Sequence, residues 1–174
     1  MSSKLLNTKD CREWEIVETN WLTTILSKSR MNGRTAWAYS SARNTMAVNV
    51  TNGKHMWISD EPPNFTGNDL GPNPVELLMG ALAACSVVTI LKKARDANFF
   101  TPNFAVVCSY TRVLGPDGNQ VTNQQQQIKI TRSILVEDTT DTLLLDNLKS
   151  FADSCPVETI LTGDVSIETN FQSL

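Results

Sequence analysis

Histidine and closely spaced cysteines are what this 174-residue chain most plainly lacks. It has one histidine, His55, and four scattered cysteines, Cys11, Cys85, Cys108 and Cys155, with no C-x-x-C among them. A structural zinc site would be without its usual ligand pairs, so no metal site is expected. An excess of either charge is missing too: 15 Lys and Arg against 18 Asp and Glu leave a net charge of −3. That balance gives no electrostatic reason to expect nucleic acid or an anionic membrane as partner. The uncharged apolar run from Leu77 to Leu91 is shorter than the roughly 20 residues that cross a bilayer. The first residues, MSSKLLNTKDCREWE, carry mixed charge and no apolar stretch of a secretory leader, so the cytoplasm is the expected location. Lasting disulfides are not expected there, which leaves buried thiols or redox-active ones.

What the chain does have is organised around residues 73 to 99, NPVELLMGALAACSVVTILKKARDANF. Asn73 before Pro74 reads as an N-cap followed by the residue best suited to a first helical turn. Glu76 lies three residues on, the spacing of a capping box. Lys92, Lys93 and Arg95 close the segment where cations suit the helix dipole. A helix uncharged over so long a run is expected to be buried nearly all round, with other elements wrapping it. Cys85 sits in its middle beside Ala83, Ala84 and Ser86.

Around that helix the pattern is α+β. Residues 1–32 read as a partly helical appendage, with Trp14, Val17, Trp21 and Ile25 at helical spacing, ahead of a domain spanning 33–174. Thr35 to Tyr39, Met46 to Val50 and Lys54 to Ser59 read as short strands, the last following the Asn52-Gly53 turn. A long Pro-, Gly- and Asn-rich loop, DEPPNFTGNDLGPNP, then feeds the helix. Phe104 to Val113, the turn Gly115 to Asn119, and the alternation of Ile128, Ile130, Ile134 and Val136 predict a hairpin. Arg132 falls in the apolar phase of its second strand; a bulge or strand end explains this more cheaply than an inward guanidinium. Thr140 to Ser154 predicts an amphipathic helix, Pro156 to Leu161 a short one ended by Gly163, and Val165 to Phe171 a last strand.

Two thiols deserve separate readings. Cys155, before Pro156, falls at a helix start, where backbone amides and the dipole favour a thiolate. Cys85 has no such help within its own helix, and periodicity alone favours core filling for it. Cys108 and His55 read as structural strand residues, Cys11 has no nameable partner, and Asp60 and Glu61 read as a solvated loop.

The segment Gly71-Pro72-Asn73-Pro74-Val75-Glu76-Leu77-Leu78, ending in Ala83-Ala84-Cys85, resembles the central helix of the OsmC/Ohr family, and Cys155-Pro156-Val157 resembles that family's second cysteine motif. The D-E-P-P loop before G-x-D-x-G-P (Gly67 to Pro72) is closer to the general OsmC-like branch than to a typical hydroperoxide reductase. The resemblance covers about four fifths of the chain, from about residue 33. It implies antiparallel sheets wrapped around a long buried central helix, in an intertwined homodimer. It implies an antioxidant, thiol-dependent peroxidase of the oxidative stress response that reduces organic hydroperoxides, and hydrogen peroxide as a further candidate. In that chemistry Cys85 becomes a sulfenic acid, Cys155 closes a disulfide with it, and a dithiol such as a lipoyl protein reduces the pair, with no bound cofactor. The family's arginine falls best on Arg43, with Arg34 as the fallback. The glutamate that orients it falls on Val75, with Glu76 one residue away. Nine positions along a helix put Glu76 and Cys85 on opposite faces and roughly 13 Å apart. Glu76 therefore serves either across a subunit interface or, more simply, as the cap. The alternative for the whole chain is a non-catalytic small-molecule-binding or structural protein with packed cysteines.

Overall fold

The computed structural model describes residues 35–40, 46–112, 128–137 and 141–169. The appendage over 1–32, Cys11, Arg34, Arg43 and the turn at 115–119 lie outside the described residues. The chain divides into two compact units, one running to Gly71 and the other from Pro72 to Thr169.

The first unit holds a three-stranded antiparallel sheet, β1 (Trp37–Ser40), β2 (Val48–Thr51) and β3 (Met56–Ser59), in that order. The third strand starts two residues later than alternation predicts. The Asn52 carboxamide accepts from the amides of Lys54 and His55 at 3.0 and 2.8 Å, which takes both residues into the turn. Gly53, at φ +85, supplies the left-handed conformation that turn needs.

Beyond β3 the long loop is folded on Asp60. Its side chain is buried and accepts from the amides of Glu61, Asn68 and Leu70 at 2.9, 3.0 and 3.3 Å. Asp60 is therefore a loop anchor, correcting the solvated-loop expectation. Burial alone would raise its pKa, but the three amide donors outweigh that and hold it below the ordinary carboxylate value. Gly67 is required because a Cβ there would overlap the Glu61 carbonyl.

The second unit opens with α1 (Pro74–Asp96) and its capping box: Asn73 accepts from Val75 and Glu76, and Glu76 accepts from the Asn73 amide at 2.9 Å. There follow β4 (Phe104–Arg112) and β5 (Ile128–Val136), an antiparallel pair in register from Phe104↔Val136 to Arg112↔Ile128. Two helices complete the unit, α2 (Thr142–Ala152) and α3 (Pro156–Thr162). Asp141 caps α2 through the amides of Leu143 and Leu144.

Ile90, Leu148 and Ala152 form the fully buried centre. Phe104, Val106, Ile134, Val136, Leu144 and Phe151 pack against it. Phe99 meets Phe151 edge to face at 5.8 Å.

Three expectations change here. Only one stripe of α1 is buried, Met79, Leu82, Ser86, Ile90 and Ala94, while Val75, Leu78, Val88 and Leu91 are exposed. One 23-residue helix has more apolar surface than a hairpin and two short helices can cover. By length and composition α1 also suffices to cross a membrane, although its first turn is capped and its last turn charged. No bulge interrupts β5 at Arg132, which pairs with Cys108 on the inner face. Residues 164–169 are irregular rather than a strand, and Ile167 is 91% exposed. Alternation supplies a strand's side-chain pattern, but the backbone forms one only where an edge offers hydrogen bonds.

Candidate active site

The two thiols singled out in the sequence meet. Cys85 comes from the middle of α1, where it is half-buried; Cys155 is fully buried as the N-cap residue of α3. The Cys85 side chain is close enough to the Cys155 sulfur to favour its thiolate. Pro156 makes this position: it disfavours helix at Cys155 and starts α3 after it, so the chain leaves α2 and restarts with the sulfur at the free end. All three described cysteines are free thiols.

Burial pushes the Cys155 thiol up, but donors outweigh it and leave its pKa lowered. They are the Glu158 amide, the Cys85 thiol, the Ser86 hydroxyl and the Val157 amide. Cys155 makes no side-chain cap hydrogen bond to α3. Ser86 is on the buried stripe of α1, and its hydroxyl also reaches the Leu82 carbonyl at 2.8 Å.

The guanidinium beside this pair is that of Arg132. Its Nη1 donates to Glu158 at 2.6 Å, to the Ala152 carbonyl at 3.2 Å and to Ser86 at 3.5 Å; its Nη2 donates to Asp153 at 2.9 Å. The Arg132 side chain is only 16% exposed. Cys108 shares the inner face as its cross-strand partner. Burial pushes the Cys108 thiol up, Arg132 pulls it down and Cys155 pushes it up, with a net rise. Cys108 is thus beside the site rather than an isolated core residue.

Of the four residues expected to be catalytic, the structure joins Cys85 and Cys155. Glu76 is exposed and occupied with the Asn73 amide, and Arg43 lies outside the described residues. Ser86, Arg132, Asp153 and Glu158 were not among the sequence candidates. Signals existed for two of them: a serine on an otherwise apolar stripe, and an arginine in the apolar phase of a strand. Nothing in the spacing joins residues as far apart as Ser86 and Arg132. Among the described residues no group of three or more His, Cys, Asp or Glu could hold a metal ion.

Comparison with known proteins bears on this arrangement. The family described as OsmC-like protein matches residues 67–170. No curated protein matches. Among solved structures, an OsmC-like protein from Mycoplasma pneumoniae is similar with a TM-score of 0.55 and 18% identity, covering 76% of this chain and 89% of that one. An organic hydroperoxide resistance protein from Elizabethkingia anophelis has a TM-score of 0.55 and 15% identity, covering 78% and 92%. The organic hydroperoxide resistance protein OhrB of Bacillus subtilis has a TM-score of 0.52 and 16% identity, covering 76% and 93%. These likenesses establish the α+β fold as that of the OsmC-like and hydroperoxide resistance proteins.

Proposed function

We propose, from the premise that this chain belongs to the OsmC-like protein family, that it is a cysteine-based peroxidase acting on organic hydroperoxides in the cytoplasm. The observation that carries the reading is the proximity of a half-buried thiol and a fully buried one, Cys85 and Cys155, brought together from separate helices. Accessibility assigns the roles. The half-buried Cys85 meets the peroxide, and the sheltered Cys155, with its lowered pKa, resolves the product.

The Cys85 thiolate attacks the distal peroxide oxygen. The O–O bond breaks, the alcohol leaves with a proton, and Cys85 becomes a sulfenic acid, oxidised by two electrons. The Cys155 thiolate then attacks that sulfur, forming the S–S bond and expelling hydroxide, which leaves as water. Two exchange steps with an external dithiol return both cysteines to thiols, and the dithiol carries away the two electrons as a disulfide. A lipoyl group supplies that dithiol in this reading, and no bound cofactor takes part.

Purified protein is expected to consume cumene or tert-butyl hydroperoxide in the presence of dihydrolipoamide, with a Cys85–Cys155 disulfide found by mass spectrometry after peroxide alone. No consumption and no disulfide would overturn the proposal in favour of a non-catalytic binding or structural protein.

A homodimer belongs to the same proposal, because α1 leaves Val75, Leu78, Val88 and Leu91 exposed, apolar surface that a second copy would cover. Sedimentation equilibrium is expected to return twice the chain mass. A monomer mass at micromolar concentration removes the dimer and leaves the chemistry standing.

A further inference from the structure

We propose that Arg132 is a positioning residue for the cysteine pair, neutralising the Glu158 carboxylate beside Cys155 while pinning Ser86 and α3 around the sulfur. This rests on the reading of Cys85 and Cys155 as a redox pair, and adds to it a guanidinium from β5.

The geometry is that of a hub. One side chain joins β5 to α1 through Ser86, to the end of α2 through the Ala152 carbonyl, to Asp153 beyond it, and to α3 through Glu158. Those are the elements that carry or flank both thiols. Glu158 is the critical partner because it acts on Cys155 twice and in opposite senses. Its amide favours a thiolate at Cys155. Its carboxylate, three residues along the same short helix, would repel that thiolate if left unpaired. The 2.6 Å ion pair with Arg132 offsets that repulsion by neutralising the carboxylate. With the arginine side chain only 16% exposed, solvent screens this interaction less than it would a surface pair.

The charged and titratable groups tied to Cys155 or to the arginine beside it come from every neighbouring element: Cys85 on α1, Cys108 on β4, Arg132 on β5, Asp153 after α2 and Glu158 on α3. Arg132 is the single cation among these named groups, set against two carboxylates. Its removal leaves two carboxylates, two residues before Cys155 and three after it, without the cation that pairs with them.

The test is an ultraviolet thiolate titration of the full-length reduced protein, each variant read against its own Cys155→Ser counterpart so that the difference reports Cys155. Arg132→Met is expected to move the Cys155 midpoint upward and to cut the thiolate fraction at neutral pH by roughly tenfold. Arg132→Met combined with Glu158→Gln is expected to recover most of that loss, because the carboxylate that needed neutralising is gone. Arg132→Lys, which keeps the charge and loses the fork, should fall between the wild type and Arg132→Met. Glu158→Gln alone, a substitution that leaves the arginine its bonds to Ala152 and Asp153, is expected to move the midpoint downward. A merely structural arginine predicts no rescue in the double variant. An unmoved or raised midpoint in Glu158→Gln, or a double variant no better than Arg132→Met, overturns the proposal. The titration uses no peroxide, so it decides the role of Arg132 independently of the turnover assay.

Discussion

Cys85→Ser is expected to lower hydroperoxide consumption by at least about a thousandfold, because the side chain that accepts the peroxide oxygen is gone and no nearby group substitutes for it. Cys155 is fully buried, and Cys108 has its pKa raised, chiefly by burial. A serine hydroxyl keeps nearly the volume of the thiol and is not oxidised by peroxide, so the loss reads chemistry rather than packing. Cys155→Ser has a different expected signature. The first oxidation proceeds, one equivalent of peroxide is consumed, and the sulfenic acid at Cys85 persists long enough to be labelled by a sulfenic-acid-selective carbon nucleophile. The pair of outcomes distinguishes the two thiols by role. Equal activity of Cys85→Ser and wild type would remove Cys85 as nucleophile.

The second large effect concerns the core that holds those thiols in place. Leu148→Ala is expected to destabilise the protein by about 3 kcal/mol, which lowers the melting temperature by about 10 °C in a chain of this size. Leu148 is 1% exposed and belongs to the cluster with Ile90 and Ala152. The residues packed around that cluster come from β4, β5 and α2. A side chain wedged among several elements leaves a void that none can fill without moving the others, which places the cost in the middle of the leucine range. Leu143, on the same helix, is 71% exposed, and Leu143→Ala should change stability by less than about 0.5 kcal/mol. Thermal or denaturant unfolding of the two variants checks both values. Similar losses in the two would mean that helix propensity, not packing, dominates in α2.

How much of this was legible in the sequence follows the range of the interaction. The capping box of Asn73 and Glu76 is a contact over three residues, and it stands as the spacing predicts. Cys155 at a helix start follows from the proline after it. The alternation of β4 and β5 marks their inner faces because a strand repeats every two residues. Arg132 shows where such reasoning ends. Its phase is readable, but Ser86, Ala152, Asp153 and Glu158 are joined to it only by the tertiary fold. Without those acceptors in view, a bulge was the cheaper account of a charge in an apolar phase. Asp60 misled in the same way, its three amide partners being supplied by the path of the loop. The apolar helix α1 called for cover on every side, yet composition does not say whether cover comes from the same chain. Residues 164–169 carry a strand's pattern without a strand's hydrogen bonds, because pairing depends on an available edge and pattern does not record one.

The Ser86 hydroxyl has one hydrogen and two claimants, the Leu82 carbonyl 2.8 Å away and the sulfur of Cys155. It cannot serve both at once. A negative sulfur would draw that hydrogen and leave the Leu82 carbonyl only its helical donor; a protonated or bonded sulfur would leave the hydrogen on the carbonyl, where the structure has it. The charge of an atom at the start of α3 would thereby be written into the backbone of α1 a turn ahead of Cys85. A carbon-13 label on the Leu82 carbonyl would carry that record as a shift in its stretching frequency.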